Sequence, residues 1–335
     1  MGYNTESAYI VYASDDKFAG ILGVSMISLY ANSTDMKEIN VYILDGGISI
    51  QNKKRLDSVA VQYGRRKPMW IWADDISAEL GIEVAADRGS LSQYARLFIS
   101  RNLPDGLERV LYLDCDTIIR KSISELWRLD LHGKTLGALL DAFSKYYRAN
   151  IGLGPNDIMF NSGVMLIDLK QWNERKVEKR LMDFIKKKKG KVQQGDQGAL
   201  NAVLSHDTYC FEPRFNSVTI FYDFTYKNML LYRRPPDFYP ESQVEEAVEN
   251  PTIIHFTTSF LSKRPWMVGC CHRYVGEWLK YKGISAWKDE TLWEDDRPFW
   301  KKSLAIYRKL PTVLTVRIAG IMQAYGRPLK NRVKV

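Results

Sequence analysis

Residues 110–119 read VLYLDCDTII, with two carboxylates, Asp114 and Asp116, between two apolar runs. We interpret the first run as a buried strand of an α/β sheet that delivers both acids to its C-terminal end. Because side chains alternate along an extended chain, the two acids point to the same side. Two hard oxygen ligands in this arrangement suit a divalent cation, and such a cation can hold a diphosphate. The alternative is a strand that ends in an aspartate-rich turn, where aspartate caps the backbone.

The length and charge of the chain limit its number of domains and its possible partners. A chain of 335 residues has room for one large α/β domain with an appendage, or for two domains. The net charge of +9 lies in the tail, because residues 301–335 contain nine Lys or Arg and no acid, whereas the other 300 residues contain 39 basic and 39 acidic side chains. A balanced body gives no support to nucleic-acid binding, so we expect no nucleic-acid partner.

The four cysteines, Cys115, Cys210, Cys270 and Cys271, lack the spacing of a zinc site, and an adjacent pair rarely forms a disulfide with itself. We therefore predict reduced thiols in a cytoplasmic protein. The N-terminus lacks the basic segment and apolar core of a signal peptide. No apolar run approaches the roughly 20 residues that span a bilayer.

Short apolar runs alternate with helical patterns, which predicts a mostly parallel sheet with helices between its strands. The predicted strands are residues 8–13, 39–44, 69–72, 110–113, 136–140, 160–168 and 253–256. The predicted helices cover residues 18–30, 49–63 and 172–189, and two more begin near residues 91 and 194. In an open α/β sheet the ligand binds beyond the carboxyl ends of the strands, so the loop after the first strand is a candidate nucleotide contact. The alternative for that loop is an ordinary helix N-cap by Asp15 or Asp16.

Two isolated residues gain meaning from the acid pair. Arg96 is a candidate to pair with a phosphate or to orient an acidic ligand, although a lone helical arginine is more often a surface ion pair. His255 ends the last predicted strand, where a lone histidine is usually structural. A site with two aspartates needs a third ligand, and an imidazole beside carboxylates favours Mn²⁺ over Mg²⁺. We therefore predict that Asp114, Asp116 and His255 bind Mn²⁺, with Mg²⁺ as the alternative ion.

Seven short motifs follow one another in a fixed order along the chain. They are ASDD at residues 13–16, QYAR at 93–96, LYLDCD at 111–116, FNSGV at 160–164, GDQ at 195–197, HFT at 255–257 and RPW at 264–266. In this order, over about residues 8–285, the chain resembles the bacterial lipopolysaccharide galactosyltransferase and glycogenin family of retaining glycosyltransferases, family 8. The resemblance implies a nucleotide-sugar-binding α/β domain of the GT-A type, a UDP-glucose or UDP-galactose donor, Mn²⁺ and a product of α configuration.

The resemblance also implies roles for individual residues, with Asp114 and Asp116 as a DXD motif. The metal would be bound by Asp114, Asp116 and His255. The uridine would be met by Ala13, Asp15 and Lys17. The sugar would be surrounded by Arg96, Asp141, Asn161, Asp196 and Gln197. The diphosphate would be met by Lys263 or Arg264.

The chain departs from the family pattern at two places. Thr258 stands near a family glycine, and the loop that precedes Lys263 and Arg264 is longer, so the choice between these two cations stays open. Gly198 follows Gln197 where some members carry an acid, which weakens a role for a carboxylate at that position.

The difficult step of such a transfer is the departure of UDP from the anomeric carbon. A cation would stabilise the charge on the leaving phosphate oxygen. Spacing indicates no close carboxylate pair of the kind that retaining hydrolases use, so we expect front-face attack, with the leaving phosphate taking the acceptor's proton. Gln197 would stabilise the oxocarbenium-like carbon through its carbonyl, and Asp196 or Asp141 would bind sugar hydroxyls. We expect the loop at residues 257–266 to close over the donor and exclude water.

Residues beyond 283 depart from the resemblance, so we divide the chain into a glycosyltransferase domain at residues 1–283 and a basic, aromatic, helical appendage at residues 284–335. Residues 310–325 read as an amphipathic helix. Basic and aromatic residues together suit an anionic membrane surface, at the inner face of the cell membrane. The alternative is an appendage that packs on the domain and leaves its basic face in water.

The predicted activity is therefore transfer of galactose or glucose from a UDP-sugar to a cell-surface glycan or a glycoprotein. Two other classes stay open. A haloacid-dehalogenase-type phosphatase also carries Asp-x-Asp after a strand, but it prefers Thr or Val where Ile118 stands. A non-enzymatic peripheral membrane protein would account for the tail, but it leaves the two acids and the histidine unexplained.

Overall fold

Ten strands are present in the computed structural model, which describes residues 7–73, 76–84, 92–259, 261–295 and 312–334. They are β1 (Ser7–Ser14), β2 (Glu38–Asp45), β3 (Met69–Trp72), β4 (Arg109–Leu113), β5 (Thr117–Ile119), β6 (Leu136–Leu140), β7 (Phe160–Asp168), β8 (Thr208–Cys210), β9 (Ser217–Val218) and β10 (Ile253–His255). β4 is buried at every position, as its unbroken apolar sequence requires.

The helices of the described residues lie mostly between these strands. They are α1 (Ala19–Asn32), α2 (Ile50–Gln62), α3 (Ile76–Leu80), α4 (Ile99–Asn102), α5 (Ser124–Trp127), α6 (Lys145–Asn150), α7 (Leu169–Glu174), α8 (Val177–Lys187), α9 (Gly195–Leu204), α10 (Ile220–Asp223), α11 (Tyr226–Arg233), α12 (Glu241–Glu249), α13 (Val275–Gly283), α14 (Thr312–Ile321) and α15 (Arg327–Lys334). A π-helical turn, Met322–Gly326, joins the last two. The 3₁₀ turns are Asp16–Phe18, Ser92–Phe98, Ser205–Asp207 and Pro213–Asn216.

Two helices differ from the sequence-based expectation. The single helix predicted at residues 172–189 is split into α7 and α8, because Lys176 between them adopts a left-handed backbone with φ of 51°. α7 also begins earlier than predicted, since the Asp168 carboxylate caps it by accepting a hydrogen bond from the Gln171 N–H at 2.8 Å. The helix predicted to open near residue 91 is a 3₁₀ turn at Ser92–Phe98.

The larger sheet has the strand order β3-β2-β1-β4-β7-β6-β8. All neighbouring pairs are parallel except those of β7, which runs antiparallel to β4 and to β6. The prediction of a mostly parallel sheet is confirmed. The reversal of β7 matters for the site, because the start of β7 lies at the same edge as the carboxyl ends of β1, β4 and β6.

The smaller sheet has the order β5-β10-β9 and brings the distant residue His255 to the acid pair. β10 runs antiparallel to β5, and His255 pairs with Thr117. The Phe256 N–H donates to the Asp116 carbonyl at 2.9 Å. This register places the imidazole beside the residues that follow β4.

The C-terminal segment packs on the rest of the chain. Val316 of α14 is buried, and the Ser144 hydroxyl donates to the Ala324 carbonyl at 2.7 Å. Trp287 is buried as well, and its indole N–H donates to the Asn52 side-chain oxygen at 3.2 Å. The division of the chain after residue 283 stays a prediction. Within the described ranges, every helix is too short or too polar to cross a bilayer.

A buried histidine makes the stability of the fold sensitive to acid. The His272 ring packs against Tyr222 and Phe256, and burial lowers its pKa from 6.5 to about 4. The unfolded chain therefore takes up this proton more readily, so stability is lost as pH falls from 6.5 toward 4, by about 3 kcal/mol in total. The Tyr274 N–H donates to the His272 Nδ1 atom at 3.2 Å, and an asparagine oxygen can accept the same bond. We therefore expect His272→Asn to unfold in urea with a stability that depends less on pH.

The matched control for this prediction is His206→Asn, because the His206 side chain is 79% exposed. Its stability should follow that of the parent protein from pH 4 to 7. Parallel stability curves for His272→Asn and the parent protein would contradict the prediction.

Candidate functional site

A cleft of about 800 Å³ opens at the edge of the sheet where β4 and β6 end and β7 begins. This volume is within the range of about 300–1,000 Å³ that holds small ligands and cofactors. Nine of the thirteen predicted site residues line it, namely Arg96, Asp114, Asp116, Asp141, Asn161, Asp196, Gln197, His255 and Arg264. The other four, Ala13, Asp15, Lys17 and Lys263, lie outside its lining.

The two acids and the histidine converge on one point. One ligand atom from each of Asp114, Asp116 and His255 lies within 4.8 Å of the others. The His255 Nε2 atom is 3.2 Å from an Asp116 oxygen and 3.6 Å from an Asp114 oxygen. Two carboxylates and an imidazole are a donor set that suits a divalent transition metal, so the residues present fit such an ion.

A hydrogen-bond chain orients the imidazole. The His255 Nδ1 atom is 3.0 Å from the Asn216 side-chain oxygen, so we assign the Nδ1 proton to this bond and the Nε2 lone pair to the acids. The Asn216 amide donates to the Asn161 oxygen at 3.0 Å, and Asn161 in turn faces Asp141. His255 is thus held in the tautomer that can bind a cation.

Gly163 of β7 leaves the space that the imidazole occupies. A Cβ atom at this position would lie 2.0 Å from the His255 Cε1 atom and 2.9 Å from an Asp114 oxygen. The Asp114 N–H donates to the Gly163 carbonyl at 2.7 Å, so the backbone at this glycine also fixes the first acid. The glycine of the FNSGV motif is therefore required by close packing.

Arg96 joins the first acid to the start of α9. Its guanidinium contacts an Asp114 oxygen at 2.8 Å and an Asp196 oxygen at 3.0 Å, and it donates to the Ser162 carbonyl at 2.9 Å. The arginine is buried, so the surface ion pair considered as the alternative is wrong. Burial raises the pKa of Asp196 to about 6, against the opposing effect of Arg96.

Asp141, Asn161 and Gln197 lie along the floor of the cleft. Asp141 is buried, and this burial raises its pKa. The Gln197 carbonyl oxygen accepts from the Ser162 N–H at 3.2 Å and from the Ser162 hydroxyl at 3.3 Å. In this rotamer the oxygen points to β7. Its predicted role at the anomeric carbon would require the amide to turn.

Close packing also explains why residue 198 is a glycine. A Cβ atom at this position would lie 1.9 Å from the Gln193 carbonyl oxygen. A side chain there would displace the turn that begins α9. The departure from the family pattern is therefore linked to the path of this turn.

The structure distinguishes Lys263 from Arg264, a choice that the sequence left open. One Arg264 nitrogen is 2.9 Å from an Asp116 oxygen, and another donates to the Thr258 hydroxyl at 2.7 Å. The Lys263 ammonium donates to the Val268 carbonyl at 2.7 Å. Arg264 therefore lies in the cleft beside the acid pair.

The three residues predicted at the uridine lie next to the cleft, around the end of β1. The Cys115 thiol donates to the Ala13 carbonyl at 3.2 Å, which joins this end to the acid pair. Asp15 caps the turn Asp16–Phe18 by accepting from the Phe18 N–H. The Lys17 ammonium lies 5.1 Å from the centre of the Trp293 ring.

Three residues of the site carried no signal that the sequence analysis used. Asn216 lies in a 3₁₀ turn without a motif around it, and Ser162 was quoted only as part of FNSGV. Gln194 precedes the GDQ motif in a left-handed backbone with φ of 64°, and its buried side-chain oxygen has no hydrogen-bond partner among the described residues. Gln194 is one of the residues that line the cleft.

Comparisons with known proteins show which family the sequence matches. A sequence model of glycosyl transferase family 8 matches residues 9–268. General stress protein A of Bacillus subtilis (strain 168) is 30% identical over 286 residues, which cover 84% of this chain and 95% of that protein. The lipopolysaccharide 1,2-glucosyltransferase of Escherichia coli (strain K12) is 24% identical over 327 residues, which cover 95% of this chain and 89% of that protein.

A solved structure gives the same result for the fold. The galactosyltransferase LgtC in complex with donor and acceptor sugar analogs superposes with a TM-score of 0.68 at 25% identity, covering 88% of this chain and 99% of that chain. The prediction of a GT-A type α/β fold with a helical C-terminal region is confirmed. The resemblance predicted from the order of the seven motifs is confirmed as well.

Proposed function

The chain belongs to glycosyl transferase family 8 and is a glycosyltransferase, and from this premise we propose that it transfers glucose or galactose from a UDP-sugar. The proposed acceptor is a glycan or a glycoprotein of the cell surface, and the proposed product keeps the α configuration. The observation that carries the proposal is the convergence of Asp114, Asp116 and the oriented His255 within 4.8 Å.

Asp114, Asp116 and His255 would hold the metal, Mn²⁺ or Mg²⁺. When bound there, the cation supplies positive charge for the diphosphate as it leaves. Arg264 is the cation of the chain itself that is suited to the same phosphates, because it lies 2.9 Å from Asp116. We assign Lys263 a supporting role in the same loop. Closure of this loop over the donor would exclude water and limit hydrolysis.

The order of strands along the sheet supports an order of subsites for the donor. The uridine would lie at the end of β1, near Ala13, Asp15 and Lys17. The diphosphate would lie at the end of β4, and the sugar would lie between the start of β7 and the end of β6. The sugar subsite would contain Arg96, Asp141, Asn161, Asp196 and Gln197. Buried acids and amides in such a place can hydrogen-bond sugar hydroxyls.

The contacts of the acids favour front-face attack over a covalent intermediate. Asp196 is held by Arg96 at 3.0 Å, and Asp141 is held by Asn161 at 3.5 Å. Both acids are thus held by a donor group in positions where they can accept hydrogen bonds from sugar hydroxyls. The side-chain amide of Gln197 is a poor nucleophile. The leaving phosphate oxygen would take the proton of the attacking acceptor hydroxyl as the new bond forms.

A donor panel tests this function. The full chain is incubated with UDP-glucose or UDP-galactose, with EDTA, Mn²⁺ or Mg²⁺, and released UDP is measured with and without sugar acceptors. We expect release from one donor that requires the metal and increases with acceptor. Phosphate release from p-nitrophenyl phosphate without UDP release would support the phosphatase instead. If neither the UDP-sugars nor p-nitrophenyl phosphate are turned over, the result would support the non-enzymatic membrane protein.

We propose in addition that the C-terminal segment contacts an anionic membrane from the cytoplasmic side. Leu314, Ile318, Ile321, Met322, Tyr325 and Leu329 are each at least 39% exposed. Basic residues such as Arg317 and Arg332 on the same segment suit acidic lipid headgroups. The full chain should sediment with anionic liposomes at low salt, and Ile318→Asn combined with Ile321→Asn should weaken this. Absence of sedimentation with anionic liposomes would refute membrane contact.

A further inference from the structure

The cleft continues past the residues proposed for the sugar. Beyond the end of β6 it is lined by Phe143, Tyr147, Lys191, Arg233 and Arg327, which we call the outer cleft. These residues come from α6 and the loop before it, from the loop before α9, and from α11 and α15. In the proposed order of subsites, this region lies on the far side of the sugar from the diphosphate, where an acceptor must enter.

The outer cleft differs from the metal end in its charge. At the metal end, Arg96 is paired with Asp114 and Asp196, and Arg264 is paired with Asp116. In the outer cleft, Lys191, Arg233 and Arg327 have no carboxylate within ion-pair distance among the residues that the structure describes. These three cations therefore form no direct ion pair with a described carboxylate, and Asp141 acts on Arg233 only at longer range.

Arg233 is held in place with an unused donor. Its guanidinium lies 5.3 Å from the centre of the Phe143 ring and 5.6 Å from that of Tyr232. Its Nε atom is buried and has no hydrogen-bond partner among the described residues. A buried donor without a partner is costly, so a ligand that accepts from it gains free energy on binding.

Arg327 is also positioned before any ligand binds. It donates to the Gln323 side-chain oxygen at 3.3 Å, and the Gln323 amide donates to the Tyr147 hydroxyl at 3.2 Å. Burial raises the pKa of Tyr147, and Arg327 and Arg233 both oppose that rise. Both guanidinium groups therefore act on the same side of the cleft, around one hydroxyl.

We propose that the acceptor carries an anionic group, a phosphate ester or a carboxylate, which the outer cleft binds through Arg233, Arg327 and Lys191. Planar guanidinium groups form strong charge-assisted hydrogen bonds to both kinds of anion. The proposal rests on the proposed function, because it requires the acceptor hydroxyl to lie between these cations and the donor sugar.

Matched acceptors test the proposal. UDP release above donor hydrolysis is measured with glucose, glucose 6-phosphate and glucuronate, and with the corresponding galactose series. We expect kcat/KM to be at least about 10-fold higher for an anionic acceptor than for its neutral parent, since hydrogen bonds to charged groups have this magnitude. The phosphate and carboxylate arms show which anion is preferred. Equal values for neutral and anionic acceptors would overturn the proposal.

Variants locate the effect in the outer cleft. Arg233→Gln and Arg327→Gln should each lower the ratio of anionic to neutral kcat/KM by about 10- to 100-fold. Lys330→Gln, an exposed cation on the same helix as Arg327, should leave this ratio unchanged and is the matched control. A higher KM for the donor with an unchanged acceptor ratio would assign these arginines to the diphosphate and overturn the proposal.

A binding measurement separates this proposal from the proposed function. Calorimetric titration of the full chain with glucose 6-phosphate and with glucose requires no donor turnover. Tighter binding of the phosphate that is lost in Arg327→Gln supports the outer cleft even if neither UDP-sugar is used. If the protein releases UDP but binds glucose 6-phosphate no more tightly than glucose, the anionic acceptor is refuted and the proposed function stands.

Discussion

Replacing Asp116 with asparagine is expected to lower kcat/KM for the donor by about 10²–10⁴-fold, which corresponds to a loss of about 3–5 kcal/mol of transition-state stabilisation. Asparagine keeps the size of the side chain and removes its charge. Asp116 lies 3.2 Å from the His255 Nε2 atom and 2.9 Å from Arg264, so it is the acid that contacts both the proposed metal ligand His255 and the arginine proposed for the diphosphate.

The same variant should lose its response to metal. Mn²⁺ with UDP should raise the melting temperature of the parent protein, because ligands that bind only the folded state stabilise it. Asp116→Asn should show a much smaller rise. The matched control is Asp183→Asn, since the Asp183 side chain is 60% exposed and pairs with Lys179 on the surface of α8. Activity of Asp116→Asn within threefold of the parent would exclude the proposed metal site.

Much of the fold is predictable because most of its strands are short apolar runs. β3, β6 and β7 have the bounds that the sequence indicated, although β3 has no buried residue. The acid pair was predictable for the same reason, because it directly follows such a run. The direction of β7 was not visible, because an apolar run carries no information about which neighbour it pairs with.

Every predicted site residue except Asp141 lies in one of the seven motifs or next to one. His255 gained its role because a site with two aspartates needs a third ligand, and the family resemblance agreed. Its position beside Asp116 depends on the pairing of β10 with β5, which no local pattern specifies. Asn216, which orients the imidazole, is a single polar residue in a turn. The choice of Arg264 over Lys263 depends on the path of one loop.

The outer cleft could not be predicted from the sequence, because its residues come from distant segments. Lys191, Arg233 and Arg327 come from three parts of the sequence, and each alone resembles an ordinary surface cation. The C-terminal tail was interpreted from its charge as a membrane segment, whereas Gln323 and Arg327 of that tail line the same cleft as the two acids. Only the packing of α14 and α15 against the domain brings them there.

Gly163→Ala is expected to disable the site without removing any charged group, although the methyl group would also lie 2.9 Å from an Asp114 oxygen. The added methyl group would lie 2.0 Å from the His255 Cε1 atom and 2.7 Å from its Nδ1 atom. The imidazole is fixed by Asn216 on one side and by the acids on the other, so it can give way only by leaving the position that a metal requires. A displacement of about 1 Å in such a site costs about 10²-fold in rate, and overpacking costs about 1–3 kcal/mol of stability.

Gly276→Ala is the control that makes this prediction sharp. A Cβ atom at Gly276 would meet nothing within 4 Å, and the residue lies in α13, where alanine favours the helix by about 1 kcal/mol. The two variants carry the same chemical change, so comparing their UDP release and Mn²⁺-dependent melting isolates the effect at His255. If Gly163→Ala folds and retains the activity of Gly276→Ala, the imidazole is free to move and cannot be a metal ligand. If Gly163→Ala folds but loses the metal response, the space left by the missing side chain at Gly163 is what allows the three ligands to meet.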